Sequence, residues 1–143
     1  MAERSAHLVD HVLPDLPVRQ WVLSLPHRLR YLLAWDHELC RAVTGVALRT
    51  VLGFLRRRAR RHGIADGRSG AVVIVQRFGG TLNLNVHLHA LVLDGVFTRE
   101  GSAVEFHPVR RLTRAGLVTG AGQRDRLERL CRYALWPPLA QVR

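Results

Sequence analysis

Two histidines two positions apart, His87 and His89, lie in a run of alternating character over residues 83–93. Read as a β-strand, the run turns Asn83, Asn85, His87 and His89 to one face and Leu84, Val86, Leu88, Ala90 and Val92 to the other. The second face belongs in a core. The first sets two imidazoles side by side on a rigid surface, a ready site for a divalent metal whose third ligand must come from elsewhere in the fold. Histidines at this spacing also occur on solvated strand faces, where they do no chemistry. Leu91 and Leu93 continue the histidine face, which implies that it is covered at one end and that the imidazoles stand at the mouth of the covered part.

A second candidate is Tyr133. Residues 123–135 have a helical period, with Leu127, Leu130, Cys131, Ala134 and Leu135 on one stripe and Tyr133 to one side of it, near Arg126 and Arg129. In a helix that only packs, such a tyrosine is a rim residue, apolar below and wet above. The alternative is a nucleophile. A metal at His87 and His89 would polarise a phosphodiester, a tyrosine oxygen would attack its phosphorus, and neighbouring arginines would hold the phosphate and favour the phenolate. Spacing alone does not bring the three parts together.

Charge points the same way. The 143 residues carry 22 basic side chains against 11 acidic ones, a formal net charge of +11. Every basic side chain is arginine, which meets phosphate in planar, bidentate contacts. This balance favours a polyanion, most often nucleic acid; a GC-rich coding sequence would also enrich arginine over lysine. The densest run is Arg56, Arg57, Arg58, Arg60 and Arg61, at the end of a helical pattern. Cations at a helix C-terminus are favoured by its dipole, but five in six positions exceed what capping needs, and a phosphate-facing patch is expected there.

The elements that must position these groups follow in order. Residues 2–13 suit a short helix in which His7 and His11 stand one turn apart; with no cysteine nearby, surface histidines are expected rather than a zinc site. Pro14 and Pro17 end it. Residues 18–25 alternate as a strand, Pro26 opens a helix running to Trp35, and Asp36 is placed to cap the next helix. In that helix Leu39, Val43, Val46, Thr50 or Val51, and Phe54 form the expected inward stripe, with Gly63 as the stop. Residues 71–78 form a β-branched strand, Gly79 and Gly80 a turn, and residues 96–99 and 104–107 a hairpin around Glu100 and Gly101. Residues 108–122 have no clear period. The expected fold class is α+β, an antiparallel sheet of three or four strands with helices packed on one face.

The composition, 48% apolar, fits a globular chain long enough to bury a core and excludes a disordered one. Cys40 and Cys131 belong to no paired motif and read as small, reduced core residues. No apolar run reaches membrane-spanning length and no signal-peptide core opens the chain; a cytoplasmic, nucleoid-associated protein is expected.

Several stretches together resemble a known family. His87-Leu88-His89 looks like the His-hydrophobic-His (HUH) motif of rolling-circle nucleases. Trp21-Val22-Leu23-Ser24-Leu25-Pro26, Arg28-Leu29-Arg30-Tyr31-Leu32-Leu33, Gln76-Arg77-Phe78-Gly79 and the whole of residues 82–89 resemble rolling-circle insertion-sequence transposases. Residues 129–133 and 137–139 are similar to that family's tyrosine segment. The triplet alone is unspecific; the ordered set is specific and covers nearly the whole chain. The resemblance implies an HUH-nuclease-like antiparallel sheet carrying the histidines on a central strand. It implies an endonuclease and transposase that nicks single-stranded DNA at the ends of a mobile element. The tyrosine takes a 5′-phosphate and leaves a free 3′-hydroxyl, and Mg2+ or Mn2+ is the metal. Residue by residue, His87 and His89 are ligands and Tyr133 the nucleophile; Gln76, which precedes the turn into the histidine strand, is expected as a third ligand or orienting group.

Three departures stand against this. Many relatives have two tyrosines four residues apart, whereas the position four before Tyr133 is Arg129, which fits a one-tyrosine variant and speaks against two-tyrosine strand transfer. Relatives often carry an N-terminal cysteine-rich zinc module, and residues 1–17 read here as a helix and linker left after such a module. The interval from His89 to Tyr133 is short, so the catalytic domain, residues 18–143, reads as carrying an internal deletion around residues 108–122. The alternative to an active enzyme is therefore a truncated remnant that binds nucleic acid without cutting it.

Overall fold

Alternation over residues 18–24 yields strand β1 (Val18–Ser24), and the β-branched run after Gly70 yields β2 (Ala71–Phe78). The histidine stretch is β3 (Leu84–Leu93). It lies between the other two, antiparallel to both, with Val22 and Ile74 flanking His89, and Ser24 and Gln76 flanking His87. The computed structural model describes residues 7–78, 83–109 and 118–119. Within them a hairpin of β4 (Gly95–Glu100) and β5 (Ala103–Pro108) stands apart from the main sheet. Gly101 has φ +59° at its tight turn, a backbone conformation that favours glycine. A short strand β6 (Val118–Thr119) pairs antiparallel with the start of β1, so the main sheet runs β2-β3-β1-β6.

The helices lie on the face opposite the histidines. Pro26 precedes helix α1 (His27–Trp35), and the Asp36 carboxylate accepts the Leu39 backbone N–H at 2.9 Å to cap helix α2 (His37–Arg61). Arg77 ties the end of β2 to this junction, donating to the Ala34 carbonyl at 3.4 Å and lying 3.0 Å from His37 Nδ1. Leu33, Ala34 and Val86 are buried together with Leu39, Cys40 and Val43 against them. Leu55, Ala59, Val92, Val96 and Val109 form the larger cluster, with Trp21, Val51, Leu52 and Phe54 around it.

The α2 stripe differs from the sequence expectation in its second half. Val46 is 57% exposed, whereas Leu55 is 1% exposed. The inward row drifts to Val51, Leu52, Leu55 and Ala59, reaching into the arginine run, because α2 crosses a twisted sheet and its contact row follows positions four apart. Gly63, with φ +85°, lies just past the helix as expected.

A third cluster covers the histidine face at one end. Val9 and Leu13 bury Val18, Leu91 and Leu93 together with Phe97 and Phe106 of the hairpin. Val9 belongs to a single π-helical turn (Leu8–Val12) inside the stretch expected as a helix, of which residues 2–6 lie outside the described residues. Arg19 and Asp94 are joined in the interior by two hydrogen bonds, Nε to Oδ1 at 3.3 Å and Nη2 to Oδ2 at 2.8 Å. The bidentate pair pins the start of β1 to the β3–β4 corner. No helix among the described residues is long and apolar enough to cross a membrane.

Candidate metal centre

Strand β3 changes character along its histidine face. At its C-terminal end Leu91 and Leu93 are closed under Val9, Leu13 and the hairpin. Two residues back, His89 is 2% exposed. Two further, His87 is half-buried and Ser24 beside it is exposed. The histidines therefore stand at the mouth of a covered surface, as Leu91 and Leu93 imply in the sequence. Their ring centroids are 4.8 Å apart and the planes cross at 64°.

Each imidazole is held by its inner nitrogen. His87 Nδ1 lies 2.6 Å from the Asn85 carbonyl oxygen. A carbonyl only accepts, so Nδ1 carries the proton and Nε2 keeps its lone pair. A β-bulge explains this contact. Gln76 pairs with His87 but Phe78 pairs with Leu84, so Asn85 and Val86 together oppose Arg77. Bulges of this kind bend a strand and re-aim its neighbours. His89 Nδ1 lies 2.8 Å from Gln20 Nε2. In this orientation the amide donates; turned by half a rotation, it would accept from Nδ1–H and leave the lone pair on Nε2. Burial, and secondarily the charge of His87, lower the His89 pKa from 6.5 to about 4, so it is neutral around pH 7.

Gln76 lies directly across the strand pair from His87. Its Oε1 is buried without a hydrogen-bond partner among the described residues, and so is Asn85 Oδ1. Buried amide oxygens normally find a donor, so an orphan beside two imidazoles is suited to a cation. The donor set of two imidazole nitrogens and one amide oxygen fits a divalent ion. Among the described residues no group of three His, Cys, Asp or Glu side chains gathers to hold one. His7 and His11 are both exposed, with ring centroids 5.0 Å apart and stacked.

The arginine run is divided by its helix. Arg56, Arg57, Arg60 and Arg61 are exposed, Arg58 is half-buried, and Arg60 Nε donates to the Ala65 carbonyl at 3.2 Å. Since α2 packs on the face away from the histidines, the run does not line the histidine pair. Tyr133, Arg126, Arg129 and Cys131 lie outside the described residues. Gln20 and the Asn85 carbonyl escaped the sequence reading; the one available signal for Gln20 was an amide within an otherwise apolar strand face between Val18 and Val22.

Residues 70–119, which include β2, β3, the hairpin and both histidines, match a family model described as "Putative transposase". No curated protein and no solved structure matches the chain. The matched segment is thus the part of this chain that is similar to transposases, and it contains the whole of the strand on which the candidate site is built.

Proposed function

We propose that the chain is a rolling-circle-type transposase whose sheet holds a divalent metal and whose Tyr133 cuts single-stranded DNA. The observation that carries this is the juxtaposition of His87, His89 and Gln76 on one sheet face, inside the segment that matches the transposase family. His87 Nε2, a nitrogen of His89 and Gln76 Oε1 would hold the ion. Bound there, it would polarise the scissile phosphate and offset charge on its oxygens. Two imidazoles suit Mn2+ somewhat better than Mg2+, which prefers an all-oxygen shell.

The remaining chemistry falls to the chain. The Asn85 carbonyl and Gln20 fix the rings, so the ligand geometry is set before metal arrives. The Tyr133 oxygen, losing its proton, would form a bond to phosphorus as the bond from phosphorus to the 3′-oxygen breaks. The 3′-oxygen takes up a proton and leaves as a hydroxyl, and the phosphate stays on tyrosine as a diester. Exposed arginines would hold the backbone.

One observation favours a second reading, a nucleic-acid-binding remnant without cutting activity. Among the described residues no carboxylate joins the histidine pair, and an amide is a weak third ligand. Cleavage of an end-labelled single strand in Mn2+ separates the two. The first reading predicts a cut lost in His87→Ala/His89→Ala; the second predicts retention of the strand on the protein with no cut at all.

A further inference from the structure

A cleft of about 350 Å³ lies between α2 and the loop leading into β2, lined by Arg49, Leu52, Arg56, Arg68 and Ser69. We infer that this cleft is a phosphate-binding site for the backbone of single-stranded nucleic acid, separate from the histidine pair. The inference rests on the DNA-binding part of the proposed function and not on its cutting chemistry.

Three arginines line it from two elements. Arg49 and Arg56 are seven residues apart on α2, hence on one face and about 10 Å apart along the axis. Arg68 comes from the loop, whose position is fixed by paired backbone hydrogen bonds to Phe97 at 2.8 and 2.6 Å. Ser69 Oγ donates to the Leu93 carbonyl at 3.4 Å and fixes the same loop to the end of β3. None of the three arginines makes an ion pair among the described residues, where the buried Arg19–Asp94 pair shows what a committed arginine looks like. All three are exposed.

Gly45 supplies a second feature. A side chain built on it would meet Arg49 Nη1 at 3.1 Å. The guanidinium therefore lies back along the helix over a residue that offers it no obstruction. Gly53 stands in the same relation to Arg57 Nη1, at 3.2 Å, so the arrangement recurs along α2. An anion offsets the mutual repulsion of neighbouring like charges, and arginine meets phosphate with paired donors. A span of two helical turns suits consecutive phosphates of a chain rather than one free ion.

The test is binding of a fluorescent single strand of about 20 nucleotides, by anisotropy across a salt series. The full chain is compared with Arg49→Gln/Arg56→Gln/Arg68→Gln. Each phosphate contact contributes about 0.7 to the slope of log K against log salt on single strands, so the triple variant should lose about 2 from the slope. A control that neutralises Arg28, Arg41 and Arg99, exposed elsewhere, should lose little, and a triple lysine variant should keep most of the slope. Inorganic phosphate at millimolar concentration should compete weakly; effective competition would mean a free-anion site and overturn the proposal. Equal losses in the cleft and control variants would also overturn it, since they would mean diffuse attraction. If the triple variant does not fold, Arg68→Gln, on the loop, should still lose about 0.7, and no loss refutes the site. Retained cleft dependence with no DNA cutting leaves this inference standing and removes the nuclease reading; cutting with no cleft dependence does the reverse.

Discussion

Acidification should weaken the metal-free protein through His89 more than through any exposed histidine. The side chain is 2% exposed and its pKa is lowered from 6.5 to about 4, first by burial and then by His87. Between these values the unfolded chain binds the proton that the folded one refuses. Stability therefore falls as pH drops through 6.5, and the loss is complete only below about 4. Worked through the linkage relation, going from about pH 7.5 to about pH 5 costs about 2 kcal/mol. With a urea dependence of about 2 kcal/mol per molar, the unfolding midpoint should drop by about 1 M. The assay is urea unfolding followed by tryptophan fluorescence at both pH values in chelator, for wild type and His89→Gln. The variant removes the titration, so its midpoint should move much less. Equal shifts in the two proteins would refute the reasoning, because the pH dependence would then arise elsewhere.

Other substitutions test the framework that carries the site. Asp94→Ala should cost about 3–5 kcal/mol, read from chemical unfolding, because Arg19 is left buried without its bidentate partner carboxylate. Leu55→Ala should cost about 2–5 kcal/mol while Val46→Ala costs under about 0.5; the reverse order would contradict the observed face of α2. Asp36→Ala should cost about 1 kcal/mol through loss of the cap to Leu39. Gln76→Ala should weaken Mn2+ binding, followed by electron paramagnetic resonance, by about 10-fold or more with little change in stability; unchanged affinity would remove Gln76 from the site.

Much of this architecture was legible in the residues. The strand over residues 71–78 and the strand beginning at Val18 are where β-branching and alternation put them. The helix starts at His27 and His37 follow from Pro26 and Asp36, which act locally. What depended on distant partners was not legible. Arg19 sits in an alternating strand like any surface arginine, and only Asp94, 75 positions away, explains its burial. The bulge opposite Arg77 interrupts no pattern in the sequence, yet it sets the contact between His87 and the Asn85 carbonyl. The pairing of His87 with Gln76 was anticipated only as a neighbourhood; the register makes them direct cross-strand partners. The arginines of the cleft are 19 positions apart, from Arg49 to Arg68, and only the packing of α2 on the loop brings them together.

The central claim is a tyrosine nuclease built on the histidine strand, and covalent capture tests it most directly. Labelled single-stranded DNA carrying an end of the mobile element that the proposed function implies, incubated with the protein and Mn2+, is run on a denaturing gel. Wild type, Tyr133→Phe and His87→Ala/His89→Ala are compared. The account predicts a DNA–protein band in wild type that is absent from both variants. A band that survives Tyr133→Phe, or no band from a folded protein that binds both Mn2+ and the strand, would contradict it.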